Sequence, residues 1–234
     1  MLGSKSLNQK LFKDLSTQSR RRKQELLHAL FEIDETTRIL DIGGQLDPGS
    51  RQILDTHEHK HNITVLNLDP QHLERIREAM PEVTTVEGSA TDLPFEDKSF
   101  DLVYSNAVIE HMPDRPAQAA MAKEIQRVGK TWFVTTPNRC YPFEFHTRLP
   151  FVSWLPTPML MGATRVLSYN HLQKRYVTGM RREPLLLMTQ RKLRRLFPDS
   201  AIVPLQITFW PETLIAAGPL ASLPDPLPGL REKR

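Results

Sequence analysis

Short apolar and β-branched runs alternate with amphipathic segments through the first 137 residues. The runs TRILDI, ITVLNLD, VTTVEG, FDLVYSN and KTWFVTTP each end in a polar or turn residue, which is typical of buried β-strands. Helical spacing lies between them in SRQILDTHEHK, PQHLERIREAM and RPAQAAMAKEIQRVG, with proline starting the second segment and glycine ending the third. Because strand and helix alternate, we expect an α/β fold with a doubly wound, parallel sheet covered on both faces by right-handed crossovers.

The regular alternation stops near residue 137. Residues 137–184 contain prolines and aromatic residues but no strand–helix–strand unit, and a connection of that length in a compact domain is usually a lid or a binding insertion. After it, TQRKLRRLF has helical spacing, and SAIVPLQITFW and ETLIAAG are close enough to pair as an antiparallel hairpin at the sheet edge.

Two flanking segments differ from this central part. Residues 7–31 predict one or two amphipathic helices, and the proline-rich residues 219–234 predict a flexible tail. We therefore divide the chain into an N-terminal helical segment, residues 1–36, a domain at 37–218 that includes the insertion at about 137–184, and the tail.

Composition is that of an ordinary globular protein, with 39% hydrophobic and 25% charged residues among 234. The single cysteine, Cys140, excludes an internal disulfide framework, suits a reducing compartment and has no base paired with it in sequence. No apolar run reaches the roughly 20 residues of a membrane-spanning helix, and no secretory signal is recognisable. We expect a cytoplasmic protein, although the basic, serine-containing N terminus keeps organellar targeting open.

The formal charge of +4 collects in basic runs at residues 19–23 and 165–195. Such runs are usually solvated helix faces, and neither interleaved aromatics nor a nucleic-acid-binding motif accompanies them. Nucleic acid is therefore not the favoured partner. The histidines of HEHKH, residues 57–61, point to different sides and lack a cysteine or carboxylate cluster, so we predict no metal site.

The stretch RILDIGGQLDPGS has the form of a cofactor-binding turn. It places Asp41 at the end of the first strand, followed by Gly43 and Gly44, which allow a ligand to approach the backbone closely. Gln45 and Pro48 stand where a dinucleotide fingerprint would need glycines, which disfavours a nicotinamide cofactor.

A second carboxylate, Asp69, ends the next strand at a distance suited to accepting hydrogen bonds from ribose hydroxyls. The alternatives are a turn or capping role for Asp41 and an N-cap role for Asp69 ahead of Pro70.

These residues carry a family resemblance. The order ILDIGG, VLNLD, VEGSATDLPFEDKSFDLVYSNAVIEHM, EIQRVGKTWFVTTPN and LRRLFPDSAIVPLQITFWPETLIAAG resembles the class I S-adenosylmethionine-dependent methyltransferases of type 11, over roughly residues 37–218. The resemblance implies a Rossmann-like sheet of seven strands, whose C-terminal hairpin puts one antiparallel strand between two parallel ones. It also implies S-adenosylmethionine as cofactor, which has no phosphate and so needs no phosphate-binding glycines.

The resemblance further implies roles for individual residues. Asp41 and the backbone of Gly43 and Gly44 would face the methionine part of the cofactor, and Asp69 its ribose. The other implied cofactor contacts are Ser89 and Ala90 at the adenine, and Ser105 and Asn106 beside the transferable methyl group.

This sequence departs from the family pattern at two positions. Gln45 replaces a common glycine, and Ser89 replaces a common aspartate, although Ser89 can still accept a hydrogen bond and Asp92 lies close by in sequence. These departures keep open a non-catalytic, cofactor-binding scaffold.

Methyl transfer chiefly requires a nucleophile held against the methyl group, and it needs a base when the nucleophile is an alcohol or an ammonium. The candidate bases are His111, after the fourth strand, and His146, in the insertion; we prefer His146 because the neighbouring Glu144 can orient its ring or raise its basicity. Arg139 and Arg148 bracket His146. For each of these residues a purely structural role is the alternative.

The two arginines, with Glu144, are predicted to bind a substrate that carries phosphate or carboxylate, such as a nucleotide sugar, a lipid-linked glycan or an acidic metabolite. The sequence thus predicts a methyltransferase that acts on oxygen of a small-molecule or glycan-type acceptor. The basic runs motivate an RNA or protein methyltransferase as the alternative, and the oligomeric state stays open.

Overall fold

A computed structural model describes residues 3–46, 52–144, 149–166, 168–170, 175–178 and 185–228. The helices are α1 (Gly3–Leu30), α2 (Ile53–Thr56), α3 (Pro70–Ala79), α4 (Arg115–Val128), α5 (Thr157–Val166) and α6 (Gln190–Leu196). The strands are β1 (Ile39–Ile42), β2 (Ile63–Asn67), β3 (Thr84–Glu87), β4 (Phe100–Asn106), β5 (Gly129–Pro137), β6 (Ser168–Asn170), β7 (Arg175–Val177), β8 (Ala201–Gln206) and β9 (Pro211–Gly218). Short 3₁₀ helices lie at Lys60–Asn62, Ile109–His111, Val152–Trp154 and Leu220–Ser222.

Seven strands form one sheet in the order β3-β2-β1-β4-β5-β9-β8. Strands β1 to β5 pair in parallel, whereas β9 pairs antiparallel with both β5 and β8. The expected doubly wound sheet and its C-terminal hairpin are therefore confirmed. The strand order reverses between β1 and β4, and ligands in such sheets bind outside the carboxyl ends of the strands at that point.

Side chains of β1 alternate between the two faces of the sheet. Leu40 and Ile42 pack into the cluster that contains α4 and α6, and Ile39 packs into the cluster that contains α1, α2 and α3. Because alternate residues of a strand share a face, Asp41 points to the same side as Ile39. A carboxyl group is thereby placed among apolar side chains.

Helix α1 packs on the sheet face that Ile39 occupies and runs in the direction opposite to β4. Its last turn lies near the amino end of β4, since Leu30 of the helix and Leu102 of the strand line the same cavity. Its Lys23 reaches Asn106 at the carboxyl end of the same strand. The helical residues that precede Lys23 therefore continue past the carboxyl edge of the sheet.

Helices α3, α4 and α6 each start at a side-chain cap. Asp69 accepts a hydrogen bond from the Gln71 amide at the start of α3, and Asp114 accepts one from the Ala117 amide at the start of α4. Thr189 caps α6 in the same way. Each cap stabilises its helix by about 1 kcal/mol and fixes where the preceding loop ends.

The insertion after β5 contains α5 and the small antiparallel hairpin of β6 and β7. A separate apolar cluster of Leu160, Leu185 and Leu187 holds α5 against the segment before α6. At the other end of the domain, the segment predicted as a tail begins with a 3₁₀ helix, and its Leu223 and Leu227 pack against the main core. No described helix combines the length and the apolar character needed to cross a membrane.

Candidate cofactor and acceptor site

The carboxyl ends of β1, β2 and β4 lie side by side. Ile42 of β1 pairs with Leu66 of β2 on one side and with Ser105 of β4 on the other. The predicted cofactor residues at these three strand ends therefore meet at one edge of the sheet.

Asp41 is the most unusual of these residues. Its side chain is only 1% exposed, and among the described residues no group forms a hydrogen bond with its Oδ2 atom. Burial, with a smaller contribution from Asp55, raises the pKa of this carboxyl group to about 7. Because a buried polar oxygen without a donor is costly, the position suits a ligand that brings a donor, above all a cationic one.

A residue other than glycine at position 43 or 44 would force the turn to rearrange. Gly43 has a φ of 78°, and a Cβ atom on it would lie 2.5 Å from Cγ2 of Val108. A Cβ atom on Gly44 would lie 2.6 Å from Oδ2 of Asp41. The turn is tied to β2, since the Gly43 amide donates to the Leu66 carbonyl at 2.8 Å and the Asn67 side chain donates to the Gly44 carbonyl at 3.0 Å.

Asp69 is the N-cap of α3, as the alternative reading of the sequence allowed. Its Oδ1 accepts from the Gln71 amide at 2.9 Å, and its Oδ2 lies 3.7 Å from Nδ1 of His72. The side chain is 48% exposed, so the capping carboxylate stays accessible from solvent.

Ser89 and Ala90 follow β3 in a short turn. The Ser89 hydroxyl lies 2.8 Å from that of Thr91 and accepts from the Thr91 amide at 3.2 Å, so it has local partners. Ala90 is buried in the apolar cluster on the α4 face.

Ser105 and Asn106 end β4 on opposite faces of the sheet. The Ser105 hydroxyl is fully buried and has no hydrogen-bond partner in the described part of the chain. Asn106 Oδ1 accepts from Lys23 Nζ and from Thr135 Oγ1, both at 2.7 Å. Ala107 then adopts a left-handed backbone with a φ of 59°, a strained conformation that fixes the sharp turn after the strand.

Sequence reasoning missed Lys23. Burial, followed by repulsion from Arg20, lowers the pKa of its amine to about 8, although Glu110 acts in the opposite direction. In sequence Lys23 is one of several basic residues on an amphipathic helix, and nothing there distinguishes it from its neighbours. Only the contact with Asn106, 83 residues away, does so.

Glu110 was also missed as a candidate. It is fully buried in the 3₁₀ helix after β4, and its Oε2 accepts from Thr136 Oγ1 at 3.0 Å. The next residue, His111, is partly buried, and its amide donates to the Val108 carbonyl at 2.9 Å. The 3₁₀ helix therefore brings a buried carboxylate and an imidazole to the end of β4.

The predicted substrate residues are only partly described. The Arg139 guanidinium donates to the Leu155 carbonyl at 2.8 Å and to Thr157 Oγ1 at 3.4 Å, which ties the end of β5 to the insertion. Glu144 is 2% exposed. His146 and Arg148 lie outside the described residues.

The charges of Arg115, Arg139 and Lys192 affect one another. Burial and the charges of Arg115 and Arg139 lower the pKa of Lys192 on α6. Arg115 opens α4, and the Arg139 amide donates to the Met188 carbonyl just before α6. Within the described ranges, no salt bridge involves any of them.

The volume of a cavity does not by itself identify the cofactor site in this protein. A cavity of about 750 Å³ lies at the opposite end of the sheet, between the end of α1 and the amino ends of β4 and β5. None of the predicted site residues lines it. In the part of the chain described, no group of three or more His, Cys, Asp or Glu side chains could hold a metal ion.

Comparison with known proteins agrees with this geometry. Residues 35–131 match the sequence model of a methyltransferase domain. A 2-methyl-6-phytyl-1,4-hydroquinone methyltransferase from Synechocystis is 37% identical over 97 residues, which is 40% of this chain and 29% of that protein. A glycine/sarcosine/dimethylglycine N-methyltransferase from Actinopolyspora halophila is 33% identical over 125 residues, 50% of this chain and 21% of that protein.

The matches span less than half the length of these curated relatives. Among solved structures, an S-adenosylmethionine-dependent methyltransferase from Mesorhizobium loti has the same fold, with a TM-score of 0.51 at 17% identity over 83% of this chain and 95% of that one. The sequence match, which runs from just before β1 into β5, is to a methyltransferase domain, and the structural match shows that the chain has the fold of an S-adenosylmethionine-dependent methyltransferase.

Proposed function

We propose that this chain methylates a hydroxyl group of a small-molecule or glycan-type acceptor that carries phosphate or carboxylate. The cofactor half of the proposal rests on Asp41, whose buried carboxyl oxygen lies at a strand end and has no donor in the described chain. The ammonium of S-adenosylmethionine would supply that donor. The bound cofactor supplies a methyl group activated on a sulfonium.

The chain's own groups divide the work of holding the cofactor. Asp41 accepts from its ammonium, and the Gly43 and Gly44 backbone lets its methionine part approach closely. The exposed Asp69 carboxylate accepts from the ribose hydroxyls while it caps α3. Ser89 and Ala90 border the adenine, and Ser105 and Asn106 border the methyl group.

The acceptor half of the proposal rests on Arg115, Arg139 and Lys192. Burial and the charges of Arg115 and Arg139 disfavour the Lys192 cation, and a ligand that supplies negative charge would offset this effect. Arginine in particular binds phosphate and carboxylate groups through two parallel hydrogen bonds. Glu144, Arg148, His111 and His146 remain predicted acceptor-site residues.

The relatives do not determine the atom that is methylated, since one is named for a hydroquinone acceptor and the other for amino-acid nitrogens. Our choice of oxygen follows from the glycan-type or acidic acceptor inferred from the sequence. A cytoplasmic location follows from the single cysteine and is proposed on that ground alone.

The first test is calorimetric titration with S-adenosylhomocysteine, with NAD as the control ligand. We expect saturable binding of S-adenosylhomocysteine only. Acceptors are then screened as matched pairs, each an anionic hydroxylated compound and its neutral analogue, with S-adenosylhomocysteine release as the readout.

The cation cluster is tested with Arg115→Met and Lys192→Met. Each should raise KM for the anionic acceptor by about tenfold or more, because a charge-assisted hydrogen bond is lost, and should leave the neutral analogue unaffected. Arg194→Met, an exposed position on the same helix, is the control. Equal turnover of neutral and anionic analogues would contradict an anionic acceptor.

Transfer to RNA that weakens steeply with salt would favour an RNA methyltransferase. Cofactor binding without turnover on any acceptor would favour a non-catalytic scaffold.

A further inference from the structure

Lys23 and Asn106 join the N-terminal helix to the end of β4. The Lys23 amine donates to Asn106 Oδ1 at 2.7 Å, and Thr135 donates to the same oxygen at 2.7 Å. The left-handed Ala107 fixes the backbone directly after Asn106. The amine is thus held at the strand end where the proposed function puts the methyl group.

Burial and the neighbouring charges together lower the pKa of this amine. Among described residues, Arg20 on the same helix disfavours the ammonium, and Glu110 on the 3₁₀ helix after β4 supports it. Burial is the largest effect, and the resulting pKa of about 8 leaves the amine largely protonated at pH 7 and about half protonated at pH 8.

We propose that Lys23 loses its proton when S-adenosylmethionine binds, and that the neutral amine is the base that accepts the proton of the acceptor hydroxyl. This inference rests on the proposed function. The physical reason is electrostatic: a sulfonium beside Asn106 is a like charge for the Lys23 ammonium, and two like charges in a partly buried site favour loss of the proton to solvent.

The transfer step then balances. The acceptor O–H bond breaks and its proton goes to Nζ of Lys23. The oxygen lone pair forms the new bond to the methyl carbon, and the bond from that carbon to sulfur breaks with its electron pair remaining on sulfur. Lys23 ends as an ammonium beside a neutral thioether, where its charge is no longer opposed by a sulfonium.

Proton release on binding tests the first half of the inference without any acceptor. S-adenosylmethionine and S-adenosylhomocysteine are each titrated calorimetrically at pH 7 and pH 8, in buffers of different ionisation enthalpy. With a pKa of about 8, complete loss of the Lys23 proton releases about 0.9 proton at pH 7 and about 0.5 at pH 8, and S-adenosylhomocysteine should release markedly less.

Two substitutions and a control separate Lys23 from other groups. Lys23→Met should abolish the difference in proton release between the two ligands. Lys23→Arg keeps a donor and a permanent charge, so it should also abolish the difference in proton release between the two ligands and should weaken binding of S-adenosylmethionine about tenfold relative to S-adenosylhomocysteine. Lys123→Met, on the exposed side of α4, should behave as the wild type. Should Lys23→Met fail to fold, Lys23→Arg still gives the test.

The contrary outcomes are distinct. Equal proton release by the wild type and by either Lys23 variant overturns the inference while the proposed function stands. Failure of the wild type to bind either ligand overturns the proposed function first, and the inference with it. Once an acceptor is known, Lys23→Arg should bind S-adenosylhomocysteine normally but lose transfer; a normal rate would make Lys23 a positioning residue and not the base.

Discussion

Gly44 and Asp41 are so close that a Cβ atom on the glycine would lie 2.6 Å from the Asp41 carboxyl oxygen. Gly44→Ala should therefore displace the carboxyl group or the turn, and we expect cofactor affinity to fall by about tenfold or more. Calorimetric titration with S-adenosylhomocysteine measures this. Gly162→Ala is the control, because a Cβ atom there meets nothing within 4 Å and the residue lies in helix α5. It should leave affinity unchanged and stabilise the helix by up to about 1 kcal/mol; an unaffected affinity in Gly44→Ala would place the cofactor elsewhere.

Asp41 should make the protein less stable as pH rises. Its pKa is raised from 3.8 to about 7 by folding, so between these values the folded state keeps a proton that the unfolded state releases. The free energy of unfolding contributed by this group therefore falls as pH increases from about 4 to 7 and is constant above that.

Asp41→Asn should remove this dependence. We expect the variant to be more stable than the wild type at pH 8, by on the order of a few kcal/mol, and similar to it near pH 4, while cofactor affinity falls. Urea unfolding at both pH values provides the measurement, and Asp92→Asn, at an exposed position, is the control. A stability difference that does not change with pH would mean that folding does not raise the pKa of this carboxyl group.

Asp69 has two separable functions, a helix cap and a proposed ribose acceptor. Asp69→Ala should lose both, at a cost of about 1 kcal/mol in stability and about 1.5 to 3 kcal/mol in cofactor binding. Asp69→Ser keeps a capping oxygen but no charge, so its stability should be close to that of the wild type while its affinity falls. Thermal unfolding and calorimetry distinguish the two effects. Unchanged affinity in both variants would show that Asp69 is only a cap.

Arg127 holds the loop between β3 and β4 from the last turn of α4. Its guanidinium donates to the Leu93 and Phe95 carbonyls at 3.0 and 2.7 Å and pairs with Glu124 and Asp97. Arg127→Met should reduce stability by about 1 to 2 kcal/mol, a modest loss because part of the guanidinium is screened by solvent. Urea unfolding measures it, with the exposed Lys123→Met as control. No loss of stability would mean that the loop is held by its apolar contacts alone.

Much of the fold could be predicted from local sequence. Each of the five apolar runs up to residue 137 coincides with one of the strands β1 to β5 to within a few residues, and the two runs near the C terminus form the hairpin of β8 and β9. The reason is that alternation and turn residues report how each segment buries its own apolar side chains. Asp41, Gly43 and Gly44 could be found in the same way, because a strand end and a glycine turn are local features.

Contacts between distant segments decided the rest. The pairing of Lys23 with Asn106 spans 83 residues, and the basic run that contains Lys23 gave no sign of it. Nothing in the sequence singles out Glu110, yet the turn after β4 buries it completely. Arg115, Arg139 and Lys192 lie far apart in sequence, and only the fold allows their charges to act on one another. Periodicity determines which face a side chain occupies within its own element, whereas the sheet order and the direction of helix α1 determine which charges meet at the carboxyl edge.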